Sequence, residues 1–206
     1  MGLALDNRAA ARVEDTVSSR AAVAVILREG AAGLEVLFIR RAEQDGDPWS
    51  GQMAFPGGRA EPGETDLRTT AVRETLEEIG IDLDAAGEFL GALDEVRAMA
   101  RMRPMDLSIQ PFVFRLRAGA PAALALSAEV AGVHWLPLDE LLGERWLSTM
   151  EYAWQGAVLT FPCLRYEDLV IWGLTFRMFT GFRDLLLAPR EKPAPAIPAA
   201  PSQATR

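Results

Sequence analysis

The chain has 206 residues, half of them hydrophobic, and a formal net charge of −8. That length and apolar content suffice for one domain with a core of its own, and the acidic balance argues against a nucleic-acid binder, which carries a basic footprint. The single cysteine, Cys163, rules out an internal disulfide, and the single histidine, His134, rules out a His-rich zinc site.

Residues 1–18 are Ala-rich with mixed charge and no apolar face, which predicts a flexible N-terminal arm ahead of a domain over 19–188. The opening is too polar and acidic for a signal peptide and no stretch reaches a membrane span, so a cytoplasmic protein with no membrane partner is expected. The run AAVAVILRE from Ala21 predicts a buried strand, and Gly30 with Gly33 a turn. Glu35–Arg40 is the partner strand of a hairpin. A polar loop through Gly46 leads to Trp49–Phe55, whose last residues predict a short strand delivering the chain to Gly57-Gly58.

The next segment carries the chemistry. Leu67, Ala71, Val72, Leu76 and Ile79 form an apolar stripe at helical spacing, with Gly80 as the stop. Glu74, Glu77 and Glu78 stand at i, i+3 and i+4 and so share one face. Like charges this close repel unless a cation comes between them, and hard divalent ions take carboxylate oxygens while keeping waters that a phosphate can displace.

Further on, Glu88–Leu93 predicts a strand, and Arg97, Arg101 and Arg103 crowd what reads as a loop ending near Pro104. Arginines grip phosphate oxygens bidentately. Ser108–Leu116 predicts a core strand, and residues 118–123 are rich in turn formers. Val133–Leu136 predicts a strand with His134 in a structural role, and Pro137–Leu142 the start of a short helix. Met150–Phe161 predicts a hairpin turning at Gln155-Gly156, and Ile171–Phe179 opens a final apolar helix to about Leu187. Cys163, inside an apolar stretch, is expected to be a buried, inert thiol. The Pro/Ala-rich residues 189–206 cannot bury a core and are expected to be disordered.

Gly58, then five residues, Glu64, and the block Arg73-Glu74-Thr75-Leu76-Glu77-Glu78-Ile79-Gly80-Ile81 resemble the signature box of the Nudix hydrolases. Two departures stand out. Eight residues rather than seven separate Glu64 from Arg73, and Thr75 replaces a bulky apolar residue. The extra residue is expected to lengthen the loop before the helix. The resemblance implies an α/β fold, the Nudix α/β/α sandwich with a mixed central β-sheet, and hydrolysis of a phosphoanhydride in a nucleoside diphosphate-linked substrate. It implies Mg²⁺ (or Mn²⁺) on Glu74, Glu77, Glu78 and the Gly58 carbonyl, with Arg73 bracing the glutamates and Glu64 as its ion partner. Glu77, Glu78 or, outside the box, Glu129 would take the proton from water. Homodimers are common in the family.

Within that family, Arg40, Gly51-Gln52-Met53-Ala54-Phe55-Pro56-Gly57-Gly58 and the Ile171-Trp172-Gly173 start of the last helix are similar to the coenzyme A pyrophosphatases. The loop 44–50 departs from that subgroup and is where selectivity is expected to lie. Arg40, Arg59, Arg97 and Arg101 are the expected substrate-binding cations. The alternatives are hydrolysis of ADP-ribose, dinucleotides or nucleoside triphosphates, and a non-catalytic nucleotide-binding regulator.

Overall fold

Strand β1, Ser19–Gly30, is buried without a break from Ala21 to Leu27, as a strand covered on both faces must be. The computed structural model describes residues 9–13, 17–47, 49–100, 103–120 and 123–188. Around β1 lie β2 (Gly33–Arg41), β3 (Met53–Ala54), β4 (Gly57–Arg59), β5 (Gly87–Ala92), β6 (Val96–Ala100), β7 (Arg103–Leu116) and β8 (Val130–Pro137). Together they form one mixed sheet in which β1 runs parallel to β7 and antiparallel to β2 and β4. A second, three-stranded sheet holds β9 (Leu147–Trp154), β10 (Ala157–Tyr166) and β11 (Leu169–Trp172). The helices are α1 (Leu67–Ile79), α2 (Leu83–Ala86), α3 (Leu138–Leu142) and α4 (Gly173–Leu187).

The period-two alternation of the strands divides the core into two layers. Ala22, Ala24 and Ile26 of β1, with Leu37 and Ile39 of β2, pack with Ala71 and Ile79 of α1. Val23, Val25 and Leu27, with Val36 and Phe38, pack with Met178, Phe179 and Phe182 of α4. The α/β/α sandwich with a mixed sheet is therefore the architecture. The α1 side is built from small residues, Ala22 and Ala24 facing Thr70, Ala71 and Thr75, all fully buried. Thr75 fits there because its hydroxyl donates to the Ala71 carbonyl at 2.7 Å, a pairing within the helix that leaves no polar atom orphaned.

Strands β1 and β2 pair only near their turn, from Leu27↔Val36 to Gly30↔Gly33. Farther along, β2 takes β3 as its neighbour, Ile39 opposite Ala54, while β1 takes β4, Val23 opposite Gly57. The segment 53–59 is thus wedged between two strands that have parted, and the Ala24 amide donates to the Pro56 carbonyl at 2.8 Å. Gly57 has φ 151°, and a Cβ there would lie 2.2 Å from the Ala22 carbonyl oxygen and 2.6 Å from the Val23 Cα.

Three expectations need correction. Leu76 is 48% exposed, because the buried stripe of α1 runs through Thr70, Ala71, Thr75, Glu78 and Ile79 instead. The region around Arg97 is the β6–β7 hairpin rather than a loop. Ile171 and Trp172 belong to β11, so α4 starts only at Gly173. Within the expected N-terminal arm, residues 9–13 contact the β5–β6 connection: the Ala11 amide donates to Asp94 at 2.7 Å, the Val13 amide to Glu95 at 2.8 Å, and the Glu95 amide to the Ala11 carbonyl at 2.9 Å. The Gln155-Gly156 turn is as expected, with φ of 49° and 79°, the two positive values of a type I′ hairpin. The expected tail over 189–206 lies outside the described residues.

Gly57→Ala combines a backbone clash with a forbidden φ. It is expected to lower unfolding free energy by about 3 kcal/mol, measured by urea titration, whereas Gly181→Ala in α4, with nothing within 4 Å of its Cβ position and no positive φ, should change it by less than about 1 kcal/mol.

Candidate active site

The site grows from the C-terminal half of α1. Asp66 caps the helix, its carboxylate accepting from the Arg68 amide at 2.9 Å, and Gly80 ends it in the left-handed conformation at φ 76°. Beyond that end, the Ala125 and Ser127 amides donate to the Ile79 and Glu78 carbonyls at 3.1 and 2.9 Å, satisfying acceptors that a helix terminus leaves open. This brings Glu129 alongside, and the Ala42 amide holds its carbonyl at 2.8 Å.

Glu78 lies seven residues from Ala71 and three from Thr75, on the core-facing stripe, and is only 3% exposed. Its carboxylate accepts one backbone hydrogen bond, from the Gly57 amide at 2.8 Å. Burial pushes its pKa up to about 7; the negative charges of Glu74 and Glu129 push the same way, while the Gly57 amide and Arg41 oppose them. Glu74 is half-buried, and burial raises its pKa too, against the pull of Arg73 and with a push from Glu77 and Glu129. Its carboxylate lies against Gly58, where a Cβ would come within 2.4 Å of Glu74 Oε1, so both glycines of the wedge are required by the glutamates or the strands they touch.

Arg73 braces this helix. Its Nε donates to Glu64 at 3.0 Å, Nη1 to Glu74 at 3.0 Å and Glu77 at 3.1 Å, and Nη2 to the Arg59 carbonyl at 3.1 Å. Glu64 also accepts from the Glu61 amide at 2.9 Å and the Thr70 hydroxyl at 2.7 Å. The Arg73 guanidinium beside it holds its pKa down at about 2. Eight residues separate Glu64 from Arg73, and the ion pair forms across that longer spacing.

Glu74, Glu78 and Glu129 act on one another electrostatically, while Glu77 projects toward solvent and pairs with Arg73. Among the described residues no group of three acidic, His or Cys side chains is drawn together as a ready cage for a metal ion. The donor set nonetheless suits a hard cation: a buried carboxylate with no ion pair among the described residues and a half-buried neighbour at the Gly58 backbone leave negative charge to be compensated.

The expected substrate cations scatter. Arg59 lines a 220 Å³ apolar cavity beside Gly57 and Gly58, with Trp49, Phe55 and Met178. Arg97 donates its Nε to the Met105 carbonyl at 3.2 Å within the hairpin. Arg40 lines a different cleft, with Met53, Arg165 and Trp172, and Arg101 lies outside the described residues. The arginine whose charge reaches Glu78 is Arg41, which sequence reasoning passed over. It lines the apolar cavity and is held by Asp47 at 2.8 Å. Strand alternation separates the two adjacent arginines, and only the phase of β2, read from Val36 through Ile39, could have told them apart.

Residues 18–156 match the NUDIX domain family model. An uncharacterized protein of Schizosaccharomyces pombe is 43% identical over 110 residues, 52% of this chain and 33% of that protein. The Nudix hydrolase NudL of Yersinia pestis (strain Pestoides F), also uncharacterized, is 31% identical over 130 residues, 61% of this chain and 60% of its own length. The chain therefore spans a third of the one relative and 60% of the other. A Caenorhabditis elegans Ap4A hydrolase structure aligns with a TM-score of 0.50 at 25% identity, over 60% of this chain and 83% of that one. The C-terminal domain of mouse MUTYH, solved in complex with human PCNA, aligns with a TM-score of 0.51 at 16% identity over 85% and 94%, a likeness of fold alone.

The raised pKa of Glu78 has a thermodynamic sign. A carboxylic acid whose folded pKa lies above its unfolded value supports the fold fully below the unfolded pKa and costs stability as pH rises through the folded one. In EDTA, stability is therefore expected to fall between about pH 5 and 8 relative to Glu78→Gln, the gap reaching about 3 kcal/mol in denaturant titrations. Added Mg²⁺ or Mn²⁺ should raise the melting temperature of the parent protein at pH 8 and leave that of Glu78→Gln nearly unmoved.

Proposed function

This chain belongs to the NUDIX family, and we propose that it is a metal-dependent pyrophosphohydrolase of nucleoside diphosphate-linked substrates, with coenzyme A or its thioesters as the preferred class. The observation that carries the hydrolase reading is the buried Glu78 carboxylate, seated on the Gly57 amide with Glu74 and Glu129 acting on it. A protein that only held a nucleotide would have no use for so costly a charge in its core.

Glu74, Glu77, Glu78 and the Gly58 carbonyl would hold Mg²⁺ (or Mn²⁺), which would neutralise charge on the phosphate oxygens and acidify water. The protein's own residues divide the remaining work. Arg73 orients Glu74 and Glu77 from one side while Glu64 anchors it from the other. Glu129, exposed at the rim, is free to take and release a proton to solvent, and Glu77 and Glu78 are the alternative acceptors. Arg41, already bound to Asp47, offers a fixed positive charge on the phosphate side of the wedge.

The coenzyme A preference is supported by the likeness of Arg40, the segment Gly51–Gly58 and the Ile171-Trp172-Gly173 run to the coenzyme A pyrophosphatases. A dinucleoside polyphosphate is the second reading, favoured by the likeness to the Ap4A hydrolase structure. The test is a hydrolysis panel with Mg²⁺ or Mn²⁺ over coenzyme A, acetyl-coenzyme A, ADP-ribose, NADH, dinucleoside polyphosphates and nucleoside triphosphates. Coenzyme A compounds are expected to be cleaved best, and Glu78→Gln to lose at least about 100-fold in kcat. Preferential cleavage of the dinucleoside polyphosphates would transfer the assignment to the second reading, and activity undiminished in Glu78→Gln would end both.

A further inference from the structure

Arg40 faces away from the glutamates into a cleft of about 380 Å³ between the two sheets. One wall is Arg40 of β2 and the segment Ser50–Met53; the other is Met150 and Glu151 of β9, Arg165 of β10, Asp168 in the β10–β11 turn, and Val170 and Trp172 of β11. Among the described residues neither Arg40 nor Arg165 forms an ion pair within 4 Å. Nor do Glu151 and Asp168. Two cations and two carboxylates therefore line one cleft without neutralising each other, although the chain pairs such groups readily elsewhere. His134 responds to the same charges: burial, and then Arg40, hold its pKa below the usual value against the opposing pull of Asp168.

The chemistry that satisfies this lining is specific. A lone phosphate would be welcomed by the arginines and repelled by the carboxylates. A cation would meet the reverse. A sugar carrying a phosphate beside a free hydroxyl satisfies both, since arginine forks match phosphate oxygens and carboxylates accept from ribose hydroxyls. The cleft also shares Gln52 and Met53 with the cavity beside Gly57 and Gly58, so the two spaces adjoin across the segment that leads into the glycine wedge. Ser50, in the loop that departs from the coenzyme A subgroup, stands at its edge.

We infer that this cleft is a subsite for a phosphorylated ribose, with Arg40 and Arg165 on the phosphate and Glu151 and Asp168 on the neighbouring hydroxyl. Resting on the coenzyme A reading above, it assigns the cleft to the ribose phosphate that distinguishes coenzyme A from dephospho-coenzyme A. Arg165 and Asp168 then set specificity from a sheet outside the catalytic helix.

Two measurements keep the subsite and the substrate reading separable. Isothermal titration of the full chain should show adenosine bisphosphate binding at least about tenfold more tightly than AMP, with Arg165→Ala bringing the two together and Arg165→Lys restoring part of the difference. The ratio of kcat/KM for coenzyme A over dephospho-coenzyme A should fall toward one in Arg165→Ala and in Arg40→Ala. Equal affinities of the parent protein for adenosine bisphosphate and AMP would overturn the subsite, as would an Arg165→Ala loss shared equally by both ligands. A parent protein that discriminates the two ligands yet leaves coenzyme A intact would sink the substrate reading and uphold the cleft. Hydrolysis of coenzyme A and its dephospho form at equal rates would do the opposite.

Discussion

A carboxylate buried against a single backbone amide is the constraint on which the rest of the structure turns. Glu78 can sit in the core because Gly57 presents its N–H there, and Gly57 can present it because segment 53–59 is wedged between β1 and β2. The wedge needs strands that part after four paired residues, a glycine where any Cβ would strike β1, and a helix close enough for its glutamate to reach. Small side chains on both sides, Ala22 and Ala24 against Thr70, Ala71 and Thr75, bring α1 that near. The local cost of the charge is offset by burial spread through the two core layers.

The same central sheet sorts chemistry by face. Because neighbouring side chains on a strand point to opposite sides, Arg40 and Arg41 serve different spaces although they adjoin in sequence. Arg41 belongs to the cavity beside the glycine wedge, and Arg40 to the cleft shared with the small sheet. A bulge between these residues in the β2–β8 pairing marks where the separation occurs, as bulges do when they re-aim a side chain.

Much of this was legible in the chain. The hairpin of β1 and β2, the reach of α1 from Leu67 to Gly80 and the Gln155-Gly156 turn follow from local periodicity and turn chemistry, which is why they read correctly. The role of Glu64 toward Arg73 followed from the motif and outlasted an insertion, since a loop absorbs one residue more easily than a helix does. Other features depend on partners distant in sequence. Leu76 fits the apolar stripe as well as Glu78 fits the charged one; the wedge decides that the acid turns inward and leucine outward. Arg97 lies in a strand because Ser108 of β7 pairs with it, and β7 runs back to Arg103 to close the hairpin, while Ile171 and Trp172 read as helix until β10 claims them. The small sheet as a wall for Arg40 had no local signature at all.

The two faces of β1 also differ in when they can be covered during synthesis. The α1 face meets its partners within about 60 residues, a modest loop to close. The other face waits for Met178, Phe179 and Phe182, which lie beyond the match to the family model at residue 156. Even the strap at residues 9–13 finds Asp94 only across 83 positions. A nascent chain that has already made the glutamate helix and the glycine wedge thus carries an uncovered apolar sheet until α4 emerges, a state prone to association with other chains. Cover for that face consequently depends on α4, the last helix of the described fold.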